Sequence, residues 1–341
     1  MSETSTTPDP IIDPERLGRR CMSIPVIFLA TFLMIIGVPI WLPVCAVADL
    51  CWPRAGSLLR TAFLFAHYLA YECAGLIVAA FLWMTMSWRD DRKSYLDAHF
   101  RLQRWWATGL MNAVRQYYEV RFEIDGQETL SEGPYLLWMR HCSLLDTLVP
   151  AMLTAPFSIR LRYVLKQGLL IDPCLDIVGQ RLPNCFVQRD GQDTEGDIGR
   201  IIALREELGP DDAIMLYPEG TRFAPDKRHG LIARLREAGE QARADEAQGL
   251  RHLLPAQRGG PLALLRDGGI DVVFAAHVGF EDLHCVTDLM AGALVEKTIK
   301  IRLHRVPHTE IPGEEERPAW LAAEWQKLDD WLDEELTGDD A

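Results

Sequence analysis

Three features of the 341-residue sequence predict an α/β fold, a mostly parallel sheet covered by helices, preceded by an N-terminal two-helix transmembrane hairpin. Two long apolar runs occupy the first ninety residues. From about residue 120, short apolar runs alternate with helical stretches. Apolar residues make up 48% and charged residues 25% of the chain, ordinary usage for a globular protein, which argues against pervasive disorder, collagen or a pure coiled coil.

The hairpin comes first. Residues 22–48 carry no charge, and residues 61–88 carry only Glu72. About 20 apolar residues cross a bilayer core, so each run is long enough. Pro25, Pro39 and Pro43 would disfavour a soluble helix, yet spanning helices accept proline where neighbours take up the freed backbone groups. Trp52 and Trp88 sit near run ends, where aromatic belts lie. A competing reading is a signal peptide, with Arg19 and Arg20 before the apolar run and a cleavage site at Ala46-Val47-Ala48. The length of the run and the second run behind it favour the hairpin. Arg16, Arg19 and Arg20 precede it, and Arg89, Arg92, Lys93, Arg101 and Arg104 follow it, whereas the loop holds only Arg54 and Arg60. Positive residues stay on the cytoplasmic side, so both ends are expected there. Glu72 in mid-span is costly unless paired, and pairing within the hairpin is the simpler expectation.

Residues 89–130 read as an amphipathic connecting region. Leu96, Phe100, Trp106, Leu110, Val114 and Tyr117 recur at helical spacing among Arg101, Arg104 and Arg115, which suits a helix on a membrane or one packed on the following domain. Strands are expected at 135–139, 159–165, 185–187, 213–217, 272–278 and 298–303. Helices are expected at 145–153, 197–208, 231–247 and 261–266. This alternation implies a largely parallel, covered sheet over residues 131–310. Residues 311–341 form an acidic amphipathic helix with Leu321, Trp325, Leu328, Leu332 and Leu336 on one stripe, best read as docked on the domain.

Net charge is −14, which disfavours a general nucleic-acid binder. The acidity is local: residues 310–341 hold twelve acids and two bases, and residues 134–190 hold four acids and six bases. The eight cysteines form no CxxC pair, so neither a zinc ribbon nor a disulfide framework is expected.

Chemistry-bearing residues cluster at two expected strand ends. After Pro134-Tyr135-Leu136-Leu137-Trp138-Met139 comes Arg140-His141-Cys142-Ser143-Leu144-Leu145-Asp146. Residues five apart do not share a helix face, so the pair can meet only if His141 ends the strand and Asp146 lies in the first helical turn. A carboxylate there fixes one imidazole tautomer and leaves the other nitrogen as a base. Alone, this spacing is common. The second cluster, Tyr217-Pro218-Glu219-Gly220-Thr221-Arg222-Phe223, follows another apolar strand. Glycine permits close backbone approach and arginine offers a planar fork for phosphate. Between them lie Lys166 and Phe186-Val187-Gln188-Arg189. Ligands bind beyond the carboxyl ends of strands in such sheets.

His141-Cys142-Ser143-Leu144-Leu145-Asp146, followed some seventy residues later by Tyr217 to Phe223, resembles the glycerolipid acyltransferase superfamily, the 1-acylglycerol-3-phosphate acyltransferases and their relatives. The stretch from Lys166 through Gly179 to Arg189 is similar to the family's intermediate motif. His252-Leu253-Leu254-Pro255 followed by Gly259 is similar to its longer membrane-hairpin branch. The resemblance implies that His141 is the general base for a glycerol hydroxyl and that Asp146 orients it. It also implies that Arg189 and Arg222 hold the acceptor's phosphate, in a pocket shaped by Glu219, Gly220 and Thr221. The donor would be an acyl-CoA or acyl carrier protein, attacked directly, with no metal and no further cofactor. Membrane lipid and a lysophospholipid acceptor are the implied partners; oligomeric state is left open.

Two departures bear on the acceptor. Arg140 stands where the family usually has Asn, adding a positive charge next to the base. The strand Val272-Val273-Phe274-Ala275-Ala276-His277-Val278 lacks the family's proline. Four readings compete: acyl transfer to lysophosphatidic acid, the same chemistry on another lysophospholipid or polar lipid, a catalytically silent lipid-binding protein, and a hydrolase using Ser143 or Cys142. The His–Asp pair argues against silence, and no G-x-S-x-G elbow surrounds either nucleophile.

Overall fold

The structure, a computed structural model, describes residues 14–52, 56–188 and 194–338. Arg54 and Arg189 lie outside these residues.

Helices α1 (Pro14–Ile36), α2 (Val38–Cys51), α3 (Ser57–Met86) and α4 (Arg92–Tyr118) come first. The domain follows as β1 (Arg121–Asp125), β2 (Tyr135–Met139), α5 (Val149–Thr154), β3 (Arg160–Lys166), α6 (Pro173–Gly179), β4 (Cys185–Val187) and α7 (Thr194–Ala203). It continues as β5 (Asp212–Leu216), α8 (Pro225–Glu237), α9 (Gln241–Gly249), α10 (Gly259–Leu264), β6 (Asp271–Val278), α11 (Val286–Met290), β7 (Thr298–Val306) and α12 (Arg317–Gly338). The seven strands lie in the order β1-β7-β6-β2-β5-β3-β4. β6, β2, β5, β3 and β4 run parallel, β7 is antiparallel to β6, and β1 is parallel to β7. β2 is central and every residue in it is buried, as its uninterrupted apolar sequence requires of a strand covered on both faces.

The first apolar run breaks in two at Gly37, with Pro39 in the opening turn of α2. Proline lacks an N–H, and the start of a helix is where none is needed. α1 and α3 are each long and apolar enough to cross a membrane. Phe28, Leu29, Phe32, Leu33 and Ile36 of α1 are exposed, as are Phe65, Phe81 and Trp83 of α3.

α3 nevertheless has a second face. Ser57, Thr61, Leu69, Glu72, Gly75, Leu76 and Ala79 are buried, and the polar partners of this face belong to α4 and to the domain. Ser57 Oγ donates to Met290 O, Thr61 pairs with Tyr118, Trp106 Nε1 donates to Glu72 at 2.8 Å, and Arg181 Nη1 donates to Ala79 O. Arg19 and Arg20 of α1 both pair with buried Asp176. The apolar helices are thus docked along the domain. Glu72 pairs across this junction, with Trp106 and the N–H of Cys174, rather than within the hairpin.

β1 places residues 121–125 in the sheet, ahead of the expected boundary at 131. Its exposed–covered alternation and its polar Arg121, Glu123 and Asp125 mark an edge strand. The helix expected at 231–247 is two, separated at Gly239, whose φ of +74° suits glycine. α12 docks as expected, with Leu321, Trp325, Leu328 and Leu332 buried.

Candidate active site

The site lies beyond the carboxyl ends of β2 and β5, which are adjacent and parallel. Arg140 N continues the ladder by donating to Ala275 O at 3.0 Å, and the chain then leaves the sheet at His141. Asp146 is wholly buried in the turns before α5, not in a first helical turn as expected, because that helix starts only at Val149 with Pro150 in its opening turn. The turn still brings the pair together: His141 Nδ1 is 2.9 Å from Asp146 Oδ2. The same oxygen accepts the N–H groups of Cys142 at 2.7 Å and Ser143 at 2.8 Å. Burial alone would raise the Asp146 pKa, but His277, His141 and these hydrogen bonds outweigh it and hold the carboxyl below the ordinary carboxylate range.

His141 is fixed from several sides. Its N–H donates to Glu219 Oε1 at 2.7 Å, and its carbonyl accepts from Phe223 N at 2.6 Å. Its ring stacks on Tyr217, with centroids 4.3 Å apart, and the Tyr217 hydroxyl donates to Asp146 O at 2.7 Å. The imidazole keeps 15% of its side-chain surface exposed, enough for a substrate to reach. Nothing in the sequence singled out Tyr217 beyond its place in the motif, since stacking across two loops leaves no local signal.

Glu219 turns out to be a clamp. It is almost wholly buried, with Oε2 accepting Leu254 N at 2.9 Å while Oε1 holds His141 N. Burial pushes its carboxyl up to about 8, against the pull of those N–H groups and Arg140. Leu254 is in turn held by α12, because Trp325 Nε1 donates to Leu254 O at 2.9 Å. Asp329 accepts Arg251 N and His252 N beside it. The C-terminal helix therefore supports the loop that holds Glu219 and, through it, His141.

Gly220 adopts φ +71° and its N–H closes the turn on Tyr217 O at 3.0 Å. Only a residue tolerant of the left-handed region fits there. Thr221 Oγ1 accepts Lys227 Nζ at 3.0 Å. Arg222, half-buried, donates from Nη1 to His284 O at 2.8 Å. Arg189, the expected second arginine, lies outside the described residues.

Arg140 differs from expectation. It is 1% exposed, with Nη1 donating to His277 O and, at 2.6 Å, to Glu281 Oε1. Burial would raise Glu281, but Arg140 outweighs it and holds that carboxyl below its ordinary value. The guanidinium ties β2 to the end of β6 and the loop after it. β6 pairs on both sides, with β2 and β7, where a proline would cost a ladder bond.

Among the described residues, no basic side chain hydrogen-bonds to Ser143 Oγ or Cys142 Sγ. Ser143 Oγ accepts Leu145 N at 3.2 Å and is fully buried. Burial pushes the Cys142 thiol well above its ordinary pKa, against what a nucleophilic thiolate needs. An apolar cavity of about 200 Å³ is lined among others by Trp106, Thr147, Leu148, Leu165, Leu169 and Ile171, Thr147 being the residue after Asp146 in the chain.

Residues 121–259 match the family model described as Acyltransferase. This central domain is an acyltransferase domain. A solved structure, the 1-acyl-sn-glycerophosphate (LPA) acyltransferase PlsC from Thermotoga maritima, is similar in fold, with a TM-score of 0.52 and 14% identity over 81% of this chain and 96% of that one. Comparison with curated protein sequences found no match. The match to an acyltransferase family model thus falls on the sheet domain, and two helices long and apolar enough to cross a membrane lie ahead of it.

Proposed function

We propose that this acyltransferase moves a fatty acyl group from acyl-CoA or acyl carrier protein to the free hydroxyl of 1-acylglycerol-3-phosphate, giving phosphatidic acid. The observation that carries the reading is the His141–Asp146 pair, partly open to solvent, beside the turn that bears Arg222. With Nδ1–H held by Asp146, Nε2 carries the lone pair. It takes the proton of the acceptor hydroxyl while that oxygen attacks the thioester carbonyl carbon. The C–S bond then breaks, and the leaving thiolate receives the proton from the imidazolium. Arg222 supplies donors for the acceptor phosphate, exchanging its contact with His284 O for charged oxygens. The apolar cavity at Thr147 and Leu148 offers room for part of an acyl chain.

α1, α2 and α3 hold the domain on the membrane through their exposed apolar faces, where a lysophospholipid acceptor resides. The basic residues flanking this unit favour the cytoplasmic face, where acyl thioesters are made available. Arg140 does not favour a different head group, because its guanidinium is spent on Glu281 and His277 O. Purified protein supplied with labelled acyl-CoA or acyl carrier protein and a panel of lysolipids tests the reading. The expected product is phosphatidic acid from lysophosphatidic acid; transfer only to uncharged acceptors would refute it.

A further inference from the structure

Asp146 is faced by two histidines, and only one belongs to the motif. Its Oδ2 accepts from His141 Nδ1 and from two backbone N–H groups. Its Oδ1 has no well-aligned donor among the described residues, and His277 Nε2 lies 3.2 Å away. His277 sits on β6, wholly buried, with its ring edge-on to Phe280 at 5.3 Å between centroids. Among the described residues, neither of its ring nitrogens has another hydrogen-bond partner. Leaving a buried polar group unsatisfied costs about 1–3 kcal/mol. A carboxylate oxygen and an imidazole N–H placed face to face relieve each other. An apolar residue would fill this strand position without that cost, so a buried histidine there has to be accounted for.

We propose that His277 is a positioning residue for acyl transfer: it presents Nε2–H to Asp146 Oδ1 and keeps Oδ2 aimed at His141. The three donors on Oδ2 fix one oxygen but leave the carboxylate able to swing about it. A donor on Oδ1 supplies the second point of attachment. The orientation of His141 then depends on β6 as well as on the turn after β2. The inference rests on the reading of His141 as the base of acyl transfer, and it concerns only what holds that base in place.

The test compares His277→Leu, His277→Gln and His277→Asn with wild type and His141→Ala. Purified full-length protein is used with lysophosphatidic acid and an acyl-CoA, varying both substrates and recording melting temperatures alongside. Losing a hydrogen bond to a charged group should lower kcat of His277→Leu by about tenfold, with both KM values little changed. His277→Gln, whose amide nitrogen reaches the place of Nε2, should recover most of that loss. His277→Asn, whose amide stops short, should not. In the proton NMR spectrum, the downfield His141 Nδ1–H signal should persist in His277→Gln and broaden or shift in His277→Asn. Wild-type kcat in His277→Leu, or equal recovery by Gln and Asn, would overturn the proposal. If His141→Ala itself keeps full activity, the acyl-transfer reading fails; if it is inactive while His277→Leu is not, only the role of His277 fails. Cys142, Asp146 and His277 also offer ligand atoms within 4.8 Å of one another. Dialysis against a chelator should therefore leave wild-type activity unchanged, and a loss restored by zinc would replace the positioning role with a metal site.

Discussion

His141 and Arg222 stand on neighbouring loops and are held in opposite ways. His141 is gripped through its N–H by Glu219, through its carbonyl by Phe223, and through its ring by Asp146 and Tyr217. Its grip reaches back through Leu254 to the C-terminal helix. Arg222 is half-exposed, and among the described residues its guanidinium donates to His284 O. On the proposed roles, the group that must be aligned before reaction is fixed in advance by buried polar groups. The group proposed to take hold of the acceptor phosphate keeps the freedom to exchange partners. Preorganisation belongs to chemistry and adaptability to recognition.

The largest effect should come from the rigid side. His141→Ala should lower kcat by about 10² or more, in line with loss of a general base, with little change in the acceptor KM. Arg222→Ala should do the reverse. A hydrogen bond to a charged group is worth about 1.5–3 kcal/mol, so the acceptor KM should rise about 10–150-fold. The donor KM should move much less, and Arg222→Lys should recover only part, since a point charge lacks the fork. Steady-state kinetics with both substrates varied checks the split. Impairment of the donor alone would move Arg222 to the donor's phosphates.

Glu219 sharpens the contrast through stability. Its carboxyl, ordinarily near 4.5, is raised to about 8 in the folded protein. A raised acid stabilises the fold fully below the unfolded value, and that contribution is lost as pH rises through the folded one. Melting temperature should therefore fall between pH about 4.5 and about 8, and fall less in Glu219→Gln. A parallel decline in both proteins would show that the clamp is ionised throughout. The smallest effect is expected at Glu72, remote from both loops. Glu72→Gln keeps an acceptor for Trp106 and should leave acyl transfer within about threefold while lowering the melting temperature, since a buried hydrogen bond is weakened. A loss of activity above about tenfold, with an unchanged melting temperature, would tie the α3 junction to catalysis.

Much of the sheet was legible because covered parallel strands are continuous apolar runs. β2 and β4 fall where the sequence placed them, and the other expected strands shift by a few residues at their ends. β1 was missed because an edge strand alternates with polar residues and carries no such run. The breaks at Gly37 and Gly239 were missed because hydrophobic periodicity runs on across a single glycine. The His141–Asp146 pair could be anticipated from spacing at a strand end. The clamp by Glu219 on residues 141 and 254 could not, since it joins backbone groups from loops far apart in sequence. Arg140 shows the same limit: a charge next to His141 in sequence is a buried strut in the fold, because Glu281 lies beside it.

Direct transfer through His141 is tested most plainly by rapid quench with labelled acyl-CoA, for wild type and His141→Ala, with and without lysophosphatidic acid. The expected result is labelled phosphatidic acid from wild type, formation slowed by about 10² or more in the variant, and unlabelled protein when the acceptor is omitted. Stoichiometric acyl-protein without acceptor, or undiminished transfer by His141→Ala, would contradict it.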